Sequence, residues 1–345
     1  MSERYFGLFD HTETRPGQDP AAWYEGRLAI IEAAEQGGFE GVFLAEHHST
    51  PLGMAPSPAL LLAAAAARTH RIRLGALVFC LPMYNPLRLV EEVCMLDHMS
   101  NGRLDLGVGR GISPFELSYH GVPISESRAR FNETLEILEL ALRNERLDYD
   151  GRFHRYADVP IELRSVQKPN PPFWFGMTTP ENAVWAGRRG MNVASFSPNA
   201  PAGELATIYR ESRREHRGSI EDLNPNIEIP RIGAVRHIYV AETDDQALAE
   251  ATPAYAAFYA NITKLWLKFN TVPAFYTPDL DVARGMDVAI VGSPETVREE
   301  VERFFDESGA NYLIGGFSFG NLTQQQARRS IDLFMKEVTP AFTKR

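Results

Sequence analysis

Short apolar runs alternate with longer amphipathic stretches along almost the whole chain. Tyr5 to Phe9, Gly41 to Ala45, Arg71 to Leu81 and Arg103 to Gly109 read as strands. Phe173 to Gly176, Val193 to Phe196, Ala234 to Val240 and Tyr312 to Phe317 read as four more. Unbroken apolar runs of this length fit strands buried on both faces. Helical stretches fill the intervals, and several carry start signals. Asp19-Pro20 opens one that reaches about Gln36, before Gly37-Gly38. Ser57-Pro58 opens the next, which ends near Thr69. In each pair a capping side chain precedes a proline suited to the first helical turn. Leu87 to Met99 is closed by Asn101-Gly102, and Glu126 to Asn144, Pro180 to Arg189 and Gly203 to Arg217 follow. Asp245 to about Phe269, a helix from Ser293-Pro294-Glu295, and Thr323 to Val338 complete the set.

Two stretches break the alternation. Leu147 to Val166 carries Tyr149-Asp150-Gly151-Arg152-Phe153, a hairpin turn. Asn270 to Ile290 has no clear period and contains Pro273, Pro278 and Gly285, which marks it as a candidate lid. Eight strand–helix units in about 300 residues predict an α/β fold, a (β/α)8 TIM barrel with insertions. A doubly wound open sheet is the alternative, but neither a linker nor a composition break divides the chain. Residues 1–345 are therefore expected to form a single barrel domain.

Composition narrows the function. The net charge of −10 gives a nucleic-acid role no electrostatic support. Cys80 and Cys94 lie in apolar segments and read as reduced core thiols. The first residues lack a basic region followed by an apolar run. The longest apolar run, Ala59 to Ala67, is too short to span a bilayer. A cytoplasmic protein without a membrane partner is expected.

The chemistry concentrates at strand ends. Gly41 to Ala45 runs into Glu46-His47-His48, which places three ionisable groups at the carboxyl edge of a buried parallel strand. Barrel active sites sit at that edge, and imidazole moves protons near neutral pH. Neighbouring strand residues point to opposite sides, so His47 and His48 should serve different roles. No carboxylate stands at zinc-ligand spacing, so no metal is expected. His11, after Asp10, occupies the same edge as a candidate substrate contact. His237 carries no motif, and the aromatic series Tyr255, Phe258, Tyr259, Trp266 and Phe269 reads as core.

Gly107-Val108-Gly109-Arg110-Gly111 follows another strand. It lacks the six-position glycine spacing of a dinucleotide turn. Glycine instead suits close approach of backbone to a flat ligand, with Arg110 as a permanent cation for phosphate. Within Met177 to Asn182, Thr179-Pro180 starts the helix Pro180 to Arg189, whose free first-turn amides suit an anion site.

Several of these motifs occur together in one known family. Ala45-Glu46-His47-His48, Leu81-Pro82 through Asn85-Pro86-Leu87-Arg88, and Leu96 to Leu104 stand in the same order and spacing. Gly107 to Gly111 and Val291-Gly292-Ser293-Pro294-Glu295 extend the match. The chain resembles the bacterial luciferase-like monooxygenases, flavin-dependent (β/α)8 barrels. The resemblance implies that reduced FMN, delivered by a separate NAD(P)H:flavin reductase, reacts with oxygen to give a flavin hydroperoxide. That species would oxidise a small organic substrate. His47 would be the catalytic histidine with Glu46 beside it, and Arg110, Thr178, Thr179 and Asn182 would hold the flavin phosphate. Leu77–Val78 would be a cis peptide under the flavin ring, near Gly109. His48 would face a subunit interface in a homodimer built on the second and third helices, opposite Glu91 or Glu92 of the other subunit. Gly109 and Ser113 depart from the cysteine and tyrosine of true luciferases, so light emission is not expected. Two rival readings are a deazaflavin-dependent hydride-transfer barrel and a non-catalytic flavin-binding protein.

Overall fold

The computed structural model describes residues 3–273 and 276–342. Its first half alternates strand and helix: β1 Tyr5–Asp10, α1 Pro20–Gly37, β2 Gly41–Leu44, α2 Pro58–Arg68, β3 Arg73–Ala76, β4 Phe79–Cys80, α3 Pro86–Met99 and β5 Leu104–Gly109. Two helices, α4 Pro114–Tyr119 and α5 Ser127–Arg143, then lead into a hairpin of β6 Arg146–Asp150 and β7 Arg155–Pro160. The second half runs β8 Phe173–Gly176, α6 Pro180–Arg188, β9 Asn192–Ser195, α7 Asn199–His216 and β10 Ile232–Val240. It ends with α8 Asp244–Ile262, α9 Lys264–Lys268, α10 Leu280–Gly285, β11 Ala289–Gly292, α11 Pro294–Ser308, β12 Tyr312–Gly316 and α12 Gln324–Leu333. Parallel pairing runs β1-β2-β3-β5-β8-β9-β10-β12, and β12 pairs back onto β1. Among the described residues these eight strands close a (β/α)8 barrel. No helix of the described residues is long and apolar enough to cross a membrane.

Side chains fill the barrel. Phe9, Phe43, Trp174, Val235, Tyr312 and Ile314 form one buried cluster inside it. Glycines on neighbouring strands make room for these rings. A Cβ on Gly7 would lie 2.5 Å from the Tyr312 hydroxyl, and one on Gly75 would lie 2.9 Å from the Phe43 ring. A larger cluster joins the outer strand faces to the helices, with Val42, Leu74, Leu106, Leu135 and Phe173 among its members. This two-sided burial explains why the strands read as unbroken apolar runs.

The start signals are mostly realised. Asp19, Asn85, Thr179 and Ser293 each accept a first-turn amide with the side chain, whereas Ser57 makes no such bond. Asn101 and Gly102 both take left-handed backbone where α3 stops. Four expectations need correction. The third strand is not continuous: β3 ends at Ala76 and β4 begins at Phe79, with a cis Leu77–Val78 peptide between them. Helix α4 was not anticipated, because six residues are too few for a helical period to show. The helical stretch to Phe269 divides into α8 and α9. The stretch 270–290 is partly regular, since α10 and the first residues of β11 lie in it. β11 pairs with the far end of β10 outside the barrel ring. Ala274 and Phe275 of this candidate lid lie outside the described residues.

Candidate active site

The period of two along each strand determines which residues line the mouth. Phe9, Ala45, Trp174, Ala194, Val235 and Ile314 point into the barrel. Two residues further along the same strands come His11, His47, Gly176, Phe196, His237 and Gly316. They form the next layer, at the carboxyl rim. Gly109 and the Leu77–Val78 step occupy the same level on the remaining two strands. One side of the mouth is thus nearly bare of side chains, and the other carries three imidazoles.

His47 and His48 separate as the alternation requires. His47 Nδ1 lies 3.3 Å from Glu116 Oε1, and the His48 backbone amide donates to Glu116 Oε2 at 3.0 Å. His48 Nε2 instead lies 3.0 Å from Glu46 Oε1 of its own chain. The buried Glu46 carboxylate also accepts from the Cys80 amide at 3.1 Å and the Tyr84 hydroxyl at 2.8 Å. Its oxygens therefore tie β2 to β4 and to the turn before α3. That bonding suits Glu46 to positioning His48, β4 and the turn before α3. His48 packs edge-on against His120 at 4.3 Å. Burial and His48 push His120 below the usual histidine range, against the opposing pull of Glu46 and Glu116. Glu91 is exposed on α3, and Glu92 is engaged by Arg88 of the same helix at 2.8 Å.

His11 joins the imidazoles across the mouth. Its ring stacks 6.3 Å from His47 and 5.7 Å from His237. Burial, and then the nearby His237 and His47, hold His11 well below the ordinary histidine value. Burial alone lowers His237 to about 4. Both are uncharged at neutral pH.

The bare side has its own logic. A Cβ at Gly107 would fall 1.8 Å from the Ala76 carbonyl oxygen, and one at Gly109 would fall 2.3 Å from Val78. These two glycines let the neighbouring strand approach closely. Gly176 is different: a Cβ there meets nothing within 4 Å. Val108 pairs with Phe175, so Arg110 and Met177 emerge side by side, two residues beyond the pair. Thr178, Thr179 and Arg110 are all exposed there. The Thr179 hydroxyl accepts the Asn182 amide at 3.3 Å, and Asn182 Nδ2 donates to Thr178 Oγ1 at 3.4 Å. Partial burial, and then the like charge of Arg128 on α5, lower Arg110 from its usual value. Two like-charged guanidinium groups near each other, with a helix start on the adjacent strand end, have the chemistry to hold an anion.

Glu116, Arg128 and His237 were missed from the sequence. Ser113-Pro114-Phe115-Glu116 has the spacing of a capping box, and the Ser113 hydroxyl does accept the Glu116 amide at 3.3 Å. The Glu116 carboxylate turns to the two histidines instead of closing the box. The 270–290 stretch also reaches this corner: burial, then the charge of Glu116, push the Tyr276 phenol up to about 12. Phe115 stacks on Phe269 at 4.3 Å and meets Trp266 edge-on at 5.4 Å.

A closed parallel barrel with a part-buried imidazole–carboxylate pair at its carboxyl rim defines the class, a (β/α)8 enzyme. Residues 5–312 match the family description "Luciferase-like monooxygenase", and the chain belongs to that family. The uncharacterized protein y4wF of Sinorhizobium fredii is 38% identical over 93% of this chain and 92% of its own length. The oxygenase component of the flavin-dependent trigonelline monooxygenase of Acinetobacter baylyi is 26% identical, over 98% of this chain and 95% of that protein. The crystal structure of monooxygenase RslO1 from Streptomyces bottropensis, also 26% identical, superposes with a TM-score of 0.87 over 98% of this chain and 100% of that one.

Proposed function

We propose that this chain is the oxygenase half of a two-component system. It would take reduced FMN from a separate NAD(P)H:flavin reductase and use it with molecular oxygen to oxidise a small organic molecule. The observation that carries this reading is the division of the mouth. Arg110, Thr178 and Thr179 lie at the ends of β5 and β8, next to the open floor at Gly176, and Arg128 of α5 is near enough to Arg110 to lower it. The His47–Glu116 pair faces them from β2 and α4. That arrangement fits a flat ring carrying a phosphate. The "oxygenase component" in the name of the Acinetobacter relative supports the need for a reductase.

Reduced FMN bound there would supply the electrons that activate oxygen. The protein's own part is binding, orientation and proton handling. Arg110 is suited to grip the phosphate with two parallel N–H bonds, and Arg128 adds charge beside it. Glu116 orients His47 through Nδ1, which leaves Nε2 to hold or deliver a proton at the mouth. Leu77, Val78, Phe9 and Phe258 make dry walls that keep water from the reacting atoms. The stretch 270–290 is the candidate lid in this account; Phe269, just before it, stacks on Phe115, and its Tyr276 lies near enough to Glu116 to feel that charge. A homodimer would cover Leu60 of α2 and Met95 and Met99 of α3, which are exposed large apolar residues.

A single-turnover experiment tests the reading. The protein is loaded with reduced FMN, mixed with isotopically labelled oxygen, and offered a ketone, a terpene, an aldehyde and a thioether. Labelled oxygen in a product supports it. Turnover with reduced deazaflavin and no oxygen uptake would replace it with the hydride-transfer reading.

A further inference from the structure

We infer that His237 is the substrate-recognition group of the mouth, selecting a neutral, largely apolar molecule that carries one hydrogen-bonding oxygen, such as a carbonyl or hydroxyl. The inference rests on the flavin reading of the same site and goes beyond it by naming what shares the mouth with the flavin.

Placement comes first. His237 lies two residues beyond Val235 on β10, so its ring enters the layer that holds His11 and His47. Its pairing partner on β12 is Gly316, which has no side chain to compete for the space. The imidazole is nonetheless closely walled. Phe258 lies 4.4 Å from it, Phe319 5.2 Å and Tyr255 5.5 Å, while His11 lies parallel at 5.7 Å. These rings belong to α8 and to the turn after β12, on the side of the mouth away from Arg110.

Bonding comes second. His237 Nε2 is buried and has no hydrogen-bond partner among the described residues. An unpaired buried polar atom is costly; Trp174 Nε1 within the barrel and Ser318 Oγ after β12 are also unpaired, but of the three rim imidazoles only His237 offers a ring nitrogen of this kind. Glu116 holds His47, and Glu46 holds His48, yet no carboxylate among the described residues bonds the His237 ring. A ring without such a partner is poorly suited to proton transfer and well suited to receiving one bond from a ligand.

Charge comes third. His237 and His11 are both neutral across the physiological range, because burial opposes protonation of each. A neutral imidazole either donates or accepts at Nε2, so it can meet a carbonyl or a hydroxyl. A cation or carboxylate would have to leave water for this aromatic wall without a counter-ion, at a large desolvation cost.

The test uses the full chain loaded anaerobically with reduced FMN. Three probes of one size are titrated in: cyclohexanone, methylenecyclohexane and cyclohexylammonium. Binding is read from the perturbation of the flavin absorbance. The wild type should prefer the ketone over the hydrocarbon by about five- to ten-fold, the worth of one neutral hydrogen bond. His237→Phe should erase that preference, and His237→Gln, which keeps an uncharged donor and acceptor, should restore most of it. Cyclohexylammonium should bind weakest throughout. A ketone preference that survives in His237→Phe, an ammonium that binds as tightly as the ketone, or no perturbation by any probe would overturn the inference. Flavin affinity is measured first in the same samples. If reduced FMN itself does not bind, the flavin reading fails and takes this inference with it; if FMN binds and the preference is absent, only the inference fails.

Discussion

Glu116 reaches His47 from a helix that the sequence did not advertise, with its Oε1 3.3 Å from His47 Nδ1 and its Oε2 on the His48 amide at 3.0 Å. One carboxylate thereby fixes the imidazole and the backbone that carries it. We predict that Glu116→Gln lowers kcat by about ten- to a hundred-fold, the scale of a misoriented acid–base group. KM for substrate and the affinity for reduced FMN should stay within about two-fold. Steady-state kinetics beside an anaerobic flavin titration separates the two effects. Equal loss of flavin binding would show that Glu116 supports the pocket and not the histidine.

His237 gives the fold a pH dependence of known sign. Burial lowers it to about 4 in the folded chain, against about 6.5 when unfolded. Between those values the unfolded chain takes up a proton that the native one refuses. Stability from this group is therefore complete above about pH 6.5 and is lost as pH falls toward 4. The loss is at most about 3 kcal/mol at 1.4 kcal/mol per unit. His237→Phe should flatten that slope in urea denaturation at a series of pH values. An unchanged slope would mean that His237 is protonated in the native mouth.

Glu46 is a structural hub. Its removal in Glu46→Ala strands the Cys80 amide, the Tyr84 hydroxyl and His48, all of which it now binds. The expected destabilisation is about 3 kcal/mol, the range for breaking a buried charged network. Tyr84→Phe removes one donor and should cost about 1 kcal/mol. Chemical denaturation checks both. A fully stable Glu46→Ala protein that has lost activity would instead assign Glu46 to the chemistry.

The barrel was legible because each strand is buried on both faces and reads as an apolar run. Capping pairs at Asp19-Pro20 and Thr179-Pro180 located helix starts to within a residue. His47 was legible because it ends such a run. Its partner was not: Ser113 to Glu116 looks like a cap, and only the folded chain turns that carboxylate toward β2. His237 is hidden in a different way. In Gly233-Ala234-Val235-Arg236-His237 the inward positions alternate, but no motif marks the last of them as a rim residue. The stretch 270–290 defeated the period test because α10 has six residues and β11 four, each too short to show its repeat.

The central claim is that the ends of β5 and β8 bind the phosphate of reduced FMN. The most direct measurement is an anaerobic titration of the protein with reduced FMN and with reduced riboflavin, which lacks the phosphate. The account predicts that the wild type prefers FMN by at least about ten-fold, and that Arg110→Ala removes most of that preference, as loss of a charge-assisted bond of about 1.5–3 kcal/mol requires. Equal affinity for FMN and riboflavin in the wild type, or a preference that Arg110→Ala leaves intact, would contradict it.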